Sequence, residues 1–402
     1  MKKLMILGGS KYIIPVIKKA HDRGIFVITC DYLPDNYAHQ FSDKYVNVSI
    51  VEKERVLEIA RQENIDGIIS FACDPGVITA SYVAEKLDLP NVAPYESVCI
   101  LQNKSLFREF LKKNNFNVPW FKSYHTIDCA LKDLENVDLP LIIKPVDSAG
   151  SKGVSVVNKR DELEDALNLA FNNSRSKEII VEEYLRFKGH PTDADTFVEN
   201  GKIKFFGTDS QLFDSNSINP FTPAAYYWPS EISKDNLQYF KEELSRLFKL
   251  LKVENAILNI ELREDYRGRP YIMEVSPRGG GNRLSEMNEY GTNQDIIGKY
   301  LEIAVNFENY KESNFKQIEF DDGWCIVILH SNKEGVFESL NINPIIQQYV
   351  IDKQVWVSKG QHVSLFTGAN QTIGTIVFKF KDKAQMLNVL NHQTRFIKVN
   401  VQ

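Results

Sequence analysis

Two short stretches, ILNIELRED (257–265) and PYIMEVSPR (270–278), hold the side chains best suited to chemistry. Each reads as a β-strand, and the turn around Arg267-Gly268 joins them. Side chains alternate across a strand, so Asn259 and Glu261 face one way, and Glu274, Ser276 and Arg278 share a face. If both faces turn toward one cavity, it gains two carboxylates, two neutral oxygen groups and a guanidinium. A carboxylate in an apolar strand interior is costly unless it is paired or metal-bound. Hard oxygen ligands suit Mg2+, which shares its shell with water and phosphate oxygens. The same pattern also fits an exposed strand face with a Glu–Arg surface pair.

A second element is LPLIIKPVDSAGSKGVSVV (139–157). Lys144 closes a buried strand, and a loop with Ser148, Gly150, Ser151 and Gly153 follows. Small residues let backbone N–H groups approach phosphate oxygens, and a lysine supplies charge. The Walker A pattern is absent, and a flexible hairpin is the other reading. The third element, VEEYL (181–185), is an apolar strand running into a hinge whose backbone groups could face an adenine edge.

These elements need a scaffold, and the rest of the chain supplies the pattern of one. The first hundred residues alternate strand and helix: LMILGG, a helix over 11–23, FVITCD, YVNVSI, a helix over 51–64, DGIISFA and a helix over 77–87. Such alternation predicts a parallel sheet covered on both faces. A helix over 97–113 opens the next unit. Asn200-Gly201 marks a hairpin, and 235–253 reads as an amphipathic helix. Beyond about residue 313 the chain is strand-rich. The expected division is an N-terminal α/β domain (1–98), a two-part module (99–312, with a nucleotide-binding lobe over about 118–185) and a β-rich C-terminal domain (313–402).

Composition narrows the class. With 402 residues, 43% hydrophobic and 25% charged, the chain is a multidomain globular protein. A net charge of −5 argues against non-specific nucleic-acid binding. No apolar run approaches a membrane span, and MKKLMILGG reads as a first strand rather than a signal peptide. The five cysteines are scattered without metal-ligand spacing, which fits a reduced cytoplasmic enzyme.

In this order, NKSLFREFL, IIKPVDSAGSKGV, VEEYL, LNIELR and IMEVSPRGGGNR resemble the ATP-grasp superfamily, closest to its carboxylate–amine ligases, biotin carboxylase-like proteins and L-amino-acid ligases. The resemblance covers nearly the whole chain and implies ATP and Mg2+ (with Mn2+ as a substitute) as cofactors. It implies small-molecule acid and amine substrates, and it allows a homodimer. By position, Lys104 and Lys144 would hold ATP phosphates, and Ser148, Gly150, Ser151 and Gly153 would form the flap over them. Glu182, Glu183, Tyr184 and Leu185 would form the adenine hinge, with His190 or Asp193 replacing the missing acidic ribose contact. Glu261 and Glu274 would bridge Mg2+, with Ser276 where the family usually has Asn and Asn259 as a compensating group. Arg278 would stand beside the reacting carboxylate, with Arg283 as a second anchor after the triple glycine. The implied reaction forms an acyl phosphate and then an amide, releasing ADP and phosphate. The alternatives are a bicarbonate-using carboxylase or carbamoyl-phosphate-type enzyme, a non-catalytic nucleotide-binding protein and, outside the family, a dinucleotide-dependent oxidoreductase. The Gly8-Gly9 run lacks G-x-G-x-x-G spacing, which weighs against the last.

Overall fold

Alternate residues of the first strands serve two different cores, which makes the first sheet a buried parallel one. β1 (Lys3–Leu7), β2 (Phe26–Asp31), β3 (Lys44–Asn47) and β4 (Gly67–Ser70) pair in parallel in the order β3-β2-β1-β4. Leu4, Ile6 and Val27 pack with Val16 and Ile17 of α1 (Ile14–His21), whereas Met5, Leu7 and Ile28 pack with Val56 and Ile59 of α2 (Lys53–Glu63). The computed structural model describes residues 1–148, 150–316 and 320–402. α3 (Asp74–Lys86) begins earlier than the apolar pattern alone predicts, with Pro75 in its first turn, where no N–H is required.

The helix expected over 97–113 is two helices. α4 (Tyr95–Gln102) and α5 (Lys104–Lys113) part at Asn103, whose extended backbone breaks the run. Its side-chain oxygen caps α5 by accepting from Leu106 N–H at 3.0 Å. The break makes Lys104 the first residue of α5.

A small antiparallel lobe follows. β5 (Phe121–Tyr124), α6 (Ile127–Leu134), β6 (Leu141–Pro145), β7 (Ser155–Val157), α7 (Leu163–Asn173) and β8 (Ile179–Glu183) form a sheet of order β5-β8-β6-β7. Leu134 and Leu167 bury Leu141, Ile143 and Val181 beneath the two helices.

The central sheet carries the candidate chemistry. β9 (Thr192–Glu199), β10 (Lys202–Phe213), β11 (Pro223–Trp228), β12 (Ala256–Glu264) and β13 (Pro270–Ser276) are joined by strands from the C-terminal region. That region contains β14 (Trp324–Leu329), β15 (Gly335–Ile342), β16 (Val350–Val355), β17 (His362–Val363), β18 (Gly374–Lys379) and β19 (Ile397–Val401). The order is β13-β12-β9-β10-β11-β14-β18-β16, so three C-terminal strands continue the central sheet, while β15, β17 and β19 form their own. The turn between β9 and β10 has Asn200 and Gly201 at φ 52° and 70°, the left-handed pair that a tight hairpin favours. One face of the sheet is sealed by α8 (Lys234–Leu250), through Phe240, Leu244 and Phe248 against Leu258, Ile260 and Val275. The other face is left to α9 (Leu284–Thr292), to α10 (Ile296–Ala304), which packs on Ile257 and Phe197, and to a cleft. Among the described residues no helix is long and apolar enough to cross a membrane.

Candidate active site

The cleft lies between the small lobe and the uncovered face of the central sheet, with a volume of about 260 Å³. Its walls include Lys104, Lys144, Ser148, Glu261, Glu274 and Arg278. The strand register explains the grouping. Glu261 stands directly opposite Glu274, and Asn259 opposite Ser276. On the next strand Glu261 faces Asp193 and Asn259 faces Asp195. Directly opposed residues of antiparallel strands share a face, so Glu274, Glu261 and Asp193 form a transverse row of carboxylates.

Counter-charges hold this row together. Lys104 Nζ lies 3.6 Å from Glu274 Oε2, and Arg263 is ion-paired with Glu261. Burial works to raise the Glu261 pKa, but Arg263, Lys144 and Lys104 outweigh it and keep the carboxyl below its ordinary value. At Asp193 burial, then Glu261 and Asp195, outweigh a hydrogen bond from Gln211 and the charge of Arg278 and push the carboxyl up to about 7. Among the described residues no group of three or more His, Cys, Asp or Glu side chains is arranged to hold an ion. The glutamate pair therefore offers a partial shell of hard oxygens, which fits Mg2+ because that ion completes its shell with phosphate and water.

The lysines are fixed by different means. Lys104 Nζ donates to the Ser148 carbonyl at 3.0 Å, tying α5 to the phosphate-loop candidate. Lys144 Nζ lies 2.5 Å from Glu182 Oε2, and Arg108 Nε lies 2.6 Å from Glu182 Oε1. Burial opposes ionisation of Glu182, but the two cations hold its pKa at about 2. Glu182 thus braces Lys144 from beneath, and its carboxylate does not face the cleft. In the loop itself Gly150, Ser151 and Gly153 all have positive φ, while Ala149 lies outside the described residues. A side chain at Gly153 would also meet Asn173 Cβ at 2.7 Å and Pro145 Cγ at 2.9 Å, so only glycine fits.

At the hinge, Glu183 N–H donates to Trp120 O and Tyr184 N–H to Pro140 O, at 2.9 and 3.0 Å. Leu185 is buried, and among the described residues its N–H has no backbone partner. His190 sits apart, with Nδ1 3.2 Å from Glu231 Oε2 and 3.1 Å from Tyr227 Oη. Glu182, Glu183, Tyr184, Leu185 and His190 are all absent from the cleft wall, whereas Asp193 lines it.

Arg278 is held by a residue that sequence reasoning missed. Its Nε and Nη2 donate to Asp74 Oδ1 and Oδ2 at 2.9 and 3.0 Å, a bidentate pair. Ser276 Oγ, nearly fully buried, donates to Asp74 Oδ1 at 2.7 Å and accepts from Gln102 Nε2 at 3.3 Å. The hydroxyl at the third position of the metal pattern is therefore committed to the N-terminal domain. Burial would raise the Asp74 pKa, but Arg278 keeps it low. A signal for Asp74 was present: it opens α3 just past β4, near the carboxyl end of a parallel strand where ligands of open α/β sheets gather.

Arg283 is placed elsewhere. It donates to Glu286 and Thr375 and pairs with Asp352 Oδ2 at 2.7 Å, joining α9 to the C-terminal strands. It does not line the cleft. The glycines before it serve close approach: a Cβ on Gly279 would lie 2.2 Å from the Phe71 ring, and Gly280 N–H donates to Asp195 Oδ1 at 3.1 Å. Tyr226, Tyr227 and Trp228 are core, although Tyr226 also reaches the cleft wall.

The family described as ATP-grasp domain matches residues 137–286, which contain Lys144, Glu182, Glu261, Glu274 and Arg278. Over 209 residues the chain is 31% identical to the formate-dependent phosphoribosylglycinamide formyltransferase of Prochlorococcus marinus, covering 51% of this chain and 53% of that protein. The chain thus spans about half the length of that curated relative. In fold it is similar to the L-amino acid ligase of Bacillus licheniformis, with TM-score 0.80, 21% identity, and 100% and 99% of the two chains covered. It is also similar to the biotin carboxylase domain of Hydrogenobacter thermophilus 2-oxoglutarate carboxylase, solved with MgADP and bicarbonate, with TM-score 0.77, 13% identity, and 100% and 91% covered. Residues 137–286 thus match the ATP-grasp domain family, and the fold of the whole chain is similar to that of these two solved structures.

Proposed function

We propose that this chain is an ATP- and Mg2+-dependent ligase that phosphorylates a small carboxylic acid and couples it to an amine. The observation that carries this reading is the register of Glu261 opposite Glu274 on the floor of a cleft walled by Lys104, Lys144 and Arg278. Attack of a carboxylate on a γ-phosphate brings two anions together, so catalysis is chiefly positioning and neutralisation of charge. Mg2+ held by Glu261 and Glu274, or Mn2+ in its place, would supply neutralising charge at the phosphates. Lys104 and Lys144 bind phosphate oxygens, and Lys144 keeps its place because Glu182 braces it. Arg278, oriented by Asp74, faces the acid. The free N–H of Leu185 suits an adenine nitrogen.

The first step forms the bond from carboxylate oxygen to phosphorus and breaks the β–γ bridge, releasing ADP. The second forms the C–N bond, breaks the C–O bond to phosphate, and releases inorganic phosphate with the amine's proton passing to water. Small-molecule acids and amines are the partners in this reading, in a cytoplasmic enzyme of three units that can assemble as a homodimer. Pooled acids incubated with ATP, Mg2+ and hydroxylamine test it: an acid-dependent release of ADP with a hydroxamate product is expected. No acid-dependent nucleotide turnover across the pool would refute it.

A further inference from the structure

The segment between β10 and β11 (214–222) leaves the central sheet and touches two other parts of the molecule. Phe213 and Phe221, at its two ends, line the cleft together with Gly150 and Ser151 of the small lobe. Ser151 Oγ donates to the Phe221 carbonyl at 3.1 Å, and Asn219 Nδ2 donates to the Ser151 carbonyl at 3.5 Å. These bonds tie the glycine-containing loop of the small lobe to the strap. A Cβ on Gly150 would meet nothing within 4 Å beyond its chain neighbours, so packing does not fix the loop at that point. Hydrogen bonds from the strap do.

The strap is anchored in turn to the C-terminal region. Asn219 Nδ2 also donates to the Thr367 carbonyl at 3.0 Å, and Thr222 Oγ1 donates to the same carbonyl at 3.5 Å. Asp214 Oδ2 accepts from Asn332 Nδ2 at 2.6 Å and lies 3.1 Å from His330 Nε2. The anchor points are themselves well packed. Phe366, beside Thr367, is buried with Tyr226, Trp228 and Ile328, and its ring stacks on His330 with centroids 4.1 Å apart. The Asn219 carboxamide has its orientation set by its partners. Its Oδ1 accepts from Phe221 N–H at 3.1 Å, which leaves its NH2 to two carbonyls that can only accept.

We propose that Asn219 is a positioning residue whose carboxamide clamps the small-lobe loop to the C-terminal region, so that the docked strap holds the loop closed over the cleft. The consequence for chemistry rests on the ligase reading, in which a closed loop keeps water from the acyl phosphate. The clamp itself does not depend on that reading.

Hydrogen exchange on the full chain tests the clamp without any substrate. In Asn219→Ala, peptides covering 150–154 should exchange about fivefold faster or more, whereas peptides of β1 and β4 should not change. Asn219→Asp keeps the acceptor for Phe221 N–H but sets an anionic oxygen against two carbonyls, so it should loosen the loop as alanine does. Loop exchange unmoved by Asn219→Ala, an Asn219→Asp chain as protected as the unaltered one, or faster exchange throughout the molecule would overturn the proposal. In turnover with hydroxylamine and an acid found by the screen, Asn219→Ala should release about twofold or more phosphate per hydroxamate. An unchanged ratio beside a loosened loop would overturn the water-excluding role. A chain with no acid-dependent turnover would refute the ligase reading, and hydrogen exchange would still decide the clamp.

Discussion

Two sets of strand-borne glutamates in this protein meet opposite fates. Glu182 on β8 is fully buried between Arg108 and Lys144, and its charge is matched on both sides. Glu261 and Glu274 on β12 and β13 remain 32% and 36% exposed to a cleft, Glu261 ion-paired with Arg263 and Glu274 3.6 Å from Lys104. The first arrangement is complete without a ligand. The second is open: its two opposed carboxylates keep oxygens exposed to the cleft, where an ion and its phosphate and water ligands can reach them. A paired buried carboxylate braces structure; an opposed, half-open pair calls for a cation from outside.

The sharpest break of this comparison is Glu274→Gln. It removes one arm of the proposed ion-holding pair but no core packing, so kcat should fall about 100-fold or more while the melting temperature changes little. Turnover near that of the unaltered protein would place the metal elsewhere. Glu182→Gln should do the reverse at the level of the fold. It leaves Arg108 buried without its partner and should cost about 3–5 kcal/mol in urea unfolding. The sign with pH follows from a carboxyl held at about 2, below its ordinary value. Its stabilisation is complete above the ordinary carboxylate range and is lost as pH falls through about 2. The gap between the two proteins should therefore be equal at pH 7 and pH 5 and narrow only below about 4. A gap that closes at pH 5 would mean that Glu182 is not held by its two cations.

Ser276→Ala carries the smallest expected effect. Its hydroxyl donates to Asp74, so loss should cost about 1–3 kcal/mol of stability. The Mg2+ concentration for half-maximal activity should not move. A large increase in that concentration would return Ser276 to the metal shell.

The difference between the two glutamate sets also marks what the sequence could disclose. Glu261 and Glu274 were legible because strand alternation and a short turn fix which side chains share a face, and the register then follows. The parallel first sheet and the Asn200-Gly201 hairpin were legible for the same local reasons. Glu182 was placed on the right strand, but its orientation toward Arg108 depends on a helix more than seventy residues away in sequence. The place of Asp74 at the carboxyl end of β4 was readable, but its pairing with Arg278 depends on the docking of the first domain against β13, which no local pattern encodes. The division at Asn103 was readable as a cap, since Asn precedes a helix-forming run, yet apolar periodicity on both sides concealed it. The continuation of the central sheet into β14, β18 and β16 is a pairing choice among strands far apart in the chain.

In the proposed ligase reaction the γ-phosphoryl group moves to the acid, and isotope transfer reads that step directly. The acid found by the hydroxylamine screen, labelled with 18O in its carboxylate, is turned over once with ATP and the amine, and the products are weighed by mass spectrometry. Attack on the γ-phosphate predicts one 18O in inorganic phosphate, with unlabelled ADP as the nucleotide product. Label appearing in AMP, with pyrophosphate released, would contradict the account.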